Sequence, residues 1–345
     1  MKVKFKNSKE LQTVLKTVEN ILKKTKIDSL QLIKLENINE KLAIIAMNQT
    51  MRIRYFVDEI KDIEGNYDLY DKTLISLLNV LDNEIEINEN VIKNAKCEYE
   101  IPTIINHDYP EDIIPQIENR QEINVQEFKE GLEGVLYATY KSEYSIMSGV
   151  YVDGNKLVGI DGNRIFTKEL SSYLDKIVLP KELVSEFLRL PFKEKVYIST
   201  FGQKIIIEDD NIQLVCNALS GDYPEYEQLL PRETDNVIEF KNKHFLNAIN
   251  LILPVINQHT MRCNLKITKY EMFVFIEGAK KARTQIPISI KEEIDEPINV
   301  MFNVNYLIDM LKVNGENIQM LIHKNSPGYS FKDKNLYQYI MPMSI

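Results

Sequence analysis

The sequence predicts an α+β fold of three tandem domains, each built from two strand-helix-three-strand units. The tetrapeptide Asp-Tyr-Pro-Glu occurs at residues 108–111 and again at 222–225, a separation of about one third of the 345-residue chain. Six times, a short strand pattern runs directly into a helix pattern with apolar residues at i, i+3 and i+4. This period predicts domains over residues 1–118, 119–235 and 236–345.

The elements follow in order along the chain. The strands before the six helices are predicted to end near Phe5, Tyr70, Val125, Leu179, Phe240 and Phe302. The helices are predicted over residues 7–24, 71–82, 124–140, 180–190, 241–256 and 303–313, with Asp71 as an N-cap and Pro180 at a helix start. Residues 84–104, 195–219 and 266–290 read as short antiparallel strands. Asp153-Gly154-Asn155 and Asp209-Asp210 read as hairpin turns.

Composition narrows the class of protein. The three cysteines, Cys97, Cys216 and Cys263, form no CxxC pair, which favours a reducing compartment. No apolar run reaches the roughly 18 residues of a membrane span, and the N-terminus shows no apolar signal core. We therefore expect a cytoplasmic protein that has no membrane contact and needs no metal or other cofactor.

The charge is unevenly divided between the predicted helices and the rest of the chain. The formal net charge is −9, which argues against a protein with a basic surface throughout. The segments 7–26 and 241–263 nevertheless carry +3 each, and the six helical segments together carry +4. This partition favours helices that face phosphates without reading bases, although basic helix residues are also common on ordinary solvated faces.

Repeated units without glycine-rich phosphate loops suggest a ring. Twelve helices from two chains, each occupying about 10 Å of circumference, would enclose a hole of roughly 28 Å. Duplex DNA, roughly 20 Å wide, would pass through it, whereas six helices from one chain would leave only about 9 Å. A head-to-tail pair of chains is therefore the predicted assembly.

Two other classes of function stay open at this point. One is an enzyme such as a carboxylate-dependent nuclease, for which Asp161 at a strand end is the candidate residue. The four histidines, His107, His244, His259 and His323, have no HExxH-type spacing, so no catalytic constellation is predicted. The other is a scaffold of repeated domains that binds proteins and never meets DNA.

Three segments resemble the bacterial sliding clamps, the beta subunits of DNA polymerase III. They are GVYVDGNKLVGIDGNRIF at 149–166, GDYPEYEQLLP at 221–231 and the terminal YIMPMSI. The resemblance covers the whole chain and implies a non-catalytic homodimeric ring, with helices inside and antiparallel sheets outside. Such a ring slides on duplex DNA and tethers DNA polymerase III alpha subunit, clamp loader and repair polymerases through short linear motifs.

The resemblance also implies a peptide groove between the central and C-terminal domains. Carried over by position, its residues are Met147, Ile160, Gly162, Asn163, Arg164, Ile165, Pro224, Gln228, Leu229, Tyr339, Met341, Pro342, Met343, Ser344 and Ile345. Soft, unbranched methionines suit a surface shared by several partners, although Met341 and Met343 could instead fill the core. The chain departs from the family at Asn163, Gln228 and Ser344, where His, Arg and Arg are common, so its peptide preference should differ.

Two further surfaces follow from the resemblance. The dimer contact would join Tyr99 and Ile101 of the first domain to Leu251 and Ile252 of the third domain of the other protomer, although the latter pair could equally be core. Contacts to DNA phosphates would come from Lys23, Lys24, Lys26, Lys72, Tyr144, Lys181, Arg189, Arg262 and Lys312.

Overall fold

A computed structural model describes most of the chain. The described residues are 1–6, 8–58, 60–81, 84–105, 108–110, 119–142, 145–278, 280–290, 294 and 296–343. Within them, no helix combines the length and the apolar character that crossing a membrane requires.

The described residues contain six α-helices, one at each predicted position. They are α1 (Ser8–Leu22), α2 (Thr73–Val80), α3 (Val125–Leu136), α4 (Lys181–Arg189), α5 (Asn242–Ile252) and α6 (Val304–Val313). Each follows a strand directly or within a few residues, which confirms the predicted strand-helix units.

Strands make up most of the remaining regular structure. They are β1 (Lys2–Phe5), β2 (Ile33–Ile38), β3 (Lys41–Met47), β4 (Met51–Val57), β5 (Ile60–Glu64), β6 (Tyr67–Tyr70), β7 (Ile85–Asn88), β8 (Val91–Lys93), β9 (Glu98–Glu100), β10 (Gln121–Asn124), β11 (Val150–Ile160), β12 (Arg164–Leu179), β13 (Lys195–Phe201), β14 (Lys204–Glu208), β15 (Ile212–Asn217), β16 (Asn236–Lys241), β17 (Arg262–Ile267), β18 (Met272–Ile276), β19 (Ala282–Ile286), β20 (Ile288–Ile290), β21 (Ile298–Asn303), β22 (Asn317–Ile322), β23 (Tyr329–Asp333) and β24 (Leu336–Ile340).

The chain forms two compact units. The first comprises Met1–Gln126 with Glu182–Leu219, and the second comprises Glu127–Lys181 with Ser220–Ile345. The first unit holds a five-stranded sheet in the order β5-β1-β7-β8-β9 and an eight-stranded sheet in the order β10-β13-β14-β15-β4-β3-β2-β6. The second holds a seven-stranded sheet, β11-β12-β24-β23-β22-β16-β20, and a four-stranded sheet, β19-β18-β17-β21. All the strand pairs in these sheets are antiparallel, so the predicted α+β class is confirmed.

The helices pack by their apolar stripes. Along α1, the side chains at i, i+3, i+4, i+7 and i+10 are fully buried, and the helix contacts β3, β4 and α2. These side chains are Leu11, Val14, Leu15, Val18 and Ile21. Helix α5 repeats the pattern with Phe245, Ala248, Ile249 and Ile252. Such a stripe stabilises a helix by burying one face, which explains why its periodicity is readable from the sequence.

The helix ends have local causes. Asp71 accepts a hydrogen bond from the Thr73 backbone N–H at 2.8 Å, as an N-terminal cap does. Helix α5 stops at Ile252, short of the predicted 256, and continues as a 3-10 turn over Leu253–Val255. Pro254 explains the early stop, because proline supplies no backbone N–H to an α-helical hydrogen bond.

One of the two predicted hairpin turns is wrong. Asp209 does form a turn between β14 and β15, where its carboxylate accepts the backbone N–H groups of Asn211 and Ile212 at 2.8 and 2.7 Å. Asp153-Gly154-Asn155 instead lies inside β11, where the register against β12 shifts. Gly154 has φ +67°, so it accommodates a β-bulge rather than a chain reversal.

Candidate functional site

The second unit contains a cavity of about 750 Å³ beside the turn between β11 and β12. Its lining is apolar on one side and polar on the other. The lining residues are Ile160, Gly162, Asn163, Arg164, Ile165, Gln228, Leu229, Leu230, Pro231, Arg232, Glu233, Asp235, His323, Asn325, Ser326, Pro327, Tyr339 and Met341. The structure therefore brings together nine of the predicted groove residues from three distant parts of the sequence.

Strand pairing explains why these residues meet. Ile165 on β12 pairs with Ile160 on β11 and with Tyr339 on β24, so the three side chains share one face of the sheet. With Val158 and Tyr226 they form a buried apolar cluster. The half-buried side chains of the predicted Met147 and Met341 pack against this cluster. Leu229 leaves 56% of its surface exposed at the cavity wall, which gives the groove an apolar rim.

The other predicted groove residues lie outside the cavity lining. The Pro224 carbonyl accepts the Tyr226 N–H at 2.8 Å. Pro342 and Met343 are half-buried, and the Met343 N–H donates to the Met301 carbonyl at 2.8 Å. Ser344 and Ile345 lie outside the described residues.

Arg164 holds the groove together through its guanidinium group. Its Nε donates to Asp161 at 2.9 Å, and one terminal nitrogen donates to Asp309 of α6 at 2.8 Å. The other terminal nitrogen donates to the Tyr137 carbonyl, and the guanidinium carbon lies 4.4 Å from the centre of the Tyr306 ring. The side chain is only 5% exposed. Arg164 therefore supports the cavity wall rather than offering a free charge to a ligand.

Asp161 serves the turn between β11 and β12. Its Oδ1 accepts the backbone N–H groups of Asn163 and Arg164 at 3.0 and 3.2 Å, while Gly162 takes φ +86°. Both carboxylate oxygens are thus engaged in structural contacts. Among the described residues, no three His, Cys, Asp or Glu side chains cluster as metal ligands would. Asp161, the candidate residue of the nuclease interpretation, is thus held by the turn and by Arg164.

Tyr226 and Asp153 support the groove from beneath, and no sequence motif marks either of them. The Tyr226 hydroxyl donates to Asp153 at 2.9 Å, and Asp153 also pairs with Lys176 at 2.7 Å. Burial, followed by the bond to Asp153, raises the pKa of Tyr226. Although burial opposes its ionisation, the hydrogen bonds from Lys176 and Tyr226 hold the pKa of Asp153 below its ordinary value. These bonds fix the 3-10 turn Tyr226–Leu229 that carries Gln228 and Leu229.

Hydrogen bonds also fix the polar side of the cavity. The Tyr339 hydroxyl contacts Ser326 Oγ at 2.7 Å and accepts the Gly328 N–H at 3.0 Å. His323, which is 7% exposed, contacts the Glu233 carbonyl through Nδ1 at 2.6 Å and Ser330 Oγ through Nε2 at 2.8 Å. No sequence motif marks His323 or Ser326, because their roles depend on the distant Tyr339 and Glu233.

Two of the predicted DNA contacts meet in the first unit. Lys24, just after α1, and Arg189, at the end of α4, both donate to Glu186 Oε1, at 3.0 and 2.5 Å. Glu186 is only 1% exposed, whereas Lys24 and Arg189 reach solvent at 32% and 51%. One buried carboxylate therefore holds two cations, from the first and the central thirds of the sequence, at one point on the surface.

The remaining DNA candidates are mostly exposed. Lys23 pairs with Glu19 at 2.8 Å, and Lys312 lies 5.7 Å above the Tyr137 ring. Tyr144 lies outside the described residues. The other exposed side chains of this set are Lys26, Lys72, Lys181 and Arg262.

The predicted dimer residues lie at one sheet edge and on one helix. Tyr99 is the middle residue of β9, an edge strand, and Ile101 follows it. Leu251 is 68% exposed on α5, which packs against the edge strand β19. Ile252 is fully buried within the apolar stripe of α5, which is the core role that the sequence left open for it.

Comparison with known proteins agrees with this architecture. Residues 227–344 match the family model of the DNA polymerase III beta subunit, C-terminal domain. The beta sliding clamp of Helicobacter pylori strain J99 is 23% identical over 351 residues, covering 93% of this chain and 91% of the relative. A Pseudomonas aeruginosa DNA polymerase III subunit beta superposes with a TM-score of 0.90 at 16% identity, covering both chains completely. A Bartonella birtlesii sliding clamp bound to griselimycin gives 0.89 at 16% identity, again with complete coverage of both.

The fold is that of the replication clamps. Together the matches show that residues 227–344 fit the C-terminal domain of the DNA polymerase III beta subunit, and that the chain is similar to the bacterial sliding clamps over nearly its whole length. The family resemblance of the three sequence segments is confirmed.

Proposed function

We propose that this chain is a processivity factor of replication that has no catalytic activity of its own. Two copies form a closed ring around duplex DNA, and each copy contributes three like domains over 1–118, 119–235 and 236–345. The groove tethers DNA polymerase III alpha subunit, clamp loader and repair polymerases by short linear motifs, in the cytoplasm. The observation that carries the proposal is the sixfold strand-helix unit in a chain that matches sliding clamps over nearly its whole length.

Two edge strands support the pairing of protomers. An edge strand has unpaired N–H and C=O groups that can pair with another chain. Strand β9 carries the exposed carboxylates Glu98 and Glu100. Strand β19 carries the exposed Arg283, and the exposed Lys281 directly precedes this strand. Joining β9 of one protomer to β19 of its partner would place opposite charges together and bring Tyr99 near Leu251.

The basic surface supports sliding on DNA. Lys23, Lys24, Lys26 and Arg189 are grouped near the ends of α1 and α4, where they can contact phosphates without reading bases. Contacts of this kind lose affinity as salt rises, because the protein replaces counterions on the phosphates. Loose, sequence-independent contacts suit a ring that must move.

The solution mass tests the ring directly. At micromolar concentration, light scattering should give twice the 40.3 kDa of one chain. Reversing the charges of β9 (Glu98→Lys with Glu100→Lys) or of β19 (Lys281→Glu with Arg283→Glu) should each shift the protein toward monomer. Because both contacts of a head-to-tail ring would again be complementary, mixing the two variants should restore the dimer.

A reversal elsewhere provides the control. Glu40→Lys lies in the exposed turn between β2 and β3 and should leave the dimer intact. A monomeric natural protein would overturn the proposed ring. If both charge-reversal variants remain dimeric, the contact between protomers does not involve β9 and β19.

A further inference from the structure

The groove has more acidic than basic groups around it. Its lining includes Glu233 and Asp235 beside a single exposed arginine, Arg232. Lys156 beside the groove is neutralised by Glu227 at 3.1 Å. Glu225 adds another carboxylate at the start of the Tyr226–Leu229 turn.

The other cation in the lining is already used. Arg164 contacts the two carboxylates of Asp161 and Asp309, so this internal network is itself net negative. The side chains of Asn163 and Gln228, which also line the cavity, carry no charge. Even with the exposed Lys324 next to His323, carboxylates outnumber cations among the described side chains on and beside the cavity.

Apolar contacts alone would admit many peptides, so the charged rim is what can discriminate among them. The buried cluster of Ile160, Ile165 and Tyr339, with the exposed Leu229 above it, offers apolar side chains a place to pack. A carboxylate next to such an anchor would approach Glu233 and Asp235 and be repelled. A lysine or arginine in the same place would be attracted.

We propose that this groove takes short peptides whose apolar anchor residues are flanked by lysine or arginine rather than by aspartate or glutamate. The inference rests on the proposed function, because it specifies the partner of the same groove. It assigns Glu233 and Asp235 as the residues that determine specificity.

Fluorescence anisotropy with labelled peptides tests the inference on the full-length protein. The peptides share a Leu-Ala-Leu-Phe segment and are flanked on both sides by Lys-Lys, Ser-Ser or Glu-Glu. At low salt, we expect the lysine peptide to bind about two- to fivefold more tightly than the serine peptide for each matched charge, with the glutamate peptide weakest. The difference should shrink as salt rises, because the charges at the rim are solvent-exposed.

Two variants distinguish the effect of the carboxylates at the cavity from a general attraction of basic peptides to an acidic protein. Glu233→Gln should reduce the preference for lysine, whereas Glu296→Gln, at an exposed carboxylate outside the cavity lining, should not. A lysine-flanked peptide with alanine at every anchor position should bind weakly.

Three results would overturn the inference: equal or tighter binding of the glutamate peptide, a preference unchanged by Glu233→Gln, or tight binding of the anchorless peptide. Failure of every peptide to bind would also contradict the proposal that this groove binds peptides. The proposed ring is tested separately, by the measurement of the solution mass.

Discussion

Glu186 shows how one residue can organise a surface assembled from distant parts of the chain. Lys24 and Arg189 are 165 positions apart, yet both contact its Oε1. The exposed faces of α1 and α4 predict that these cations reach solvent, but nothing local reveals that they share a carboxylate. Charge-assisted hydrogen bonds of this kind are stronger than neutral ones and hold side chains in place.

Replacing Glu186 with glutamine should lower the free energy of unfolding by about 1–3 kcal/mol, because charge-assisted bonds are lost. The amide would also place N–H donors at the position of Oε2, which is buried and has no hydrogen-bond partner. Urea denaturation of Glu186→Gln beside the natural protein measures the loss.

Glu182→Gln on the same helix is the matched control. Glu182 is exposed and contacts only Thr50 Oγ1, at 3.1 Å, among the bonds found for it, so the change should stay within about 0.5 kcal/mol. Equal losses of unfolding free energy in the two variants would contradict the prediction that the buried Glu186 contributes more to stability than an exposed glutamate.

Arg164 and Ile252 show where residue-scale prediction from sequence reaches its limit. The family resemblance places Arg164 at the groove, but its partner Asp309 lies 145 positions away, so no spacing rule could find the ion pair. For Ile252, the information was present in the sequence. The stripe Phe245, Ala248, Ile249 and Ile252 fixes the phase of α5, which buries Ile252 and exposes Leu251.

At the element scale, the contact of α3 with β11 depends on a glycine. A Cβ at Gly159 would lie 2.3 Å from the Val135 carbonyl oxygen of α3, and a backbone atom cannot move aside cheaply. This close approach lets the helix pack directly on the strand whose last residue, Ile160, enters the groove.

Gly159→Ala should therefore destabilise the protein by about 1–3 kcal/mol, the usual cost of overpacking a core. Gly134→Ala is the comparison within α3 itself. There a new Cβ would meet only the Leu336 side chain, at 3.3 Å, and alanine favours helix by about 0.5–1 kcal/mol, so stability should be unchanged or higher. Thermal unfolding of both variants measures the difference, and an equal loss in both would contradict the packing argument.

The six helices were predictable because their signals are local. Apolar spacing, the Asp71 cap and the preceding strands all lie within a few residues of each helix. The bulge in β11 was not predictable, because Asp-Gly serves a tight turn and a bulge alike. Whether Asp-Gly forms a turn or a bulge here depends on β12, which pairs with β11 on both sides of the bulge.

At the scale of the whole molecule, the two Asp-Tyr-Pro-Glu segments lie in different compact units. Tyr109 and Tyr223, at the same place in the two Asp-Tyr-Pro-Glu segments, each pack on an apolar cluster in their own unit. In the second unit, Ile160 pairs with Ile165 at the closed end of the β11-β12 hairpin, whereas in the first unit Met47 pairs with Arg52 at the closed end of the β3-β4 hairpin.

Two arginines distinguish the apolar cluster of the first unit from that of the second. In the first unit, Arg54 is 3% exposed and the neighbouring Arg52 is half-buried. Burial, followed by the charge of Arg54, lowers the pKa of Arg52 to about 10. In the second unit, Ile165 and Tyr339 form an apolar side of the cavity of about 750 Å³.

The central claim is that two copies enclose DNA topologically rather than merely adhering to it. The most direct measurement compares retention of the labelled protein on a nicked circular plasmid with retention on the same plasmid after linearisation, following loading by a clamp loader with ATP. In high salt, where phosphate contacts are screened, the account predicts that protein stays on the circle and is lost from the linear ends. Equal retention on both forms, or equal loss from both, would contradict it.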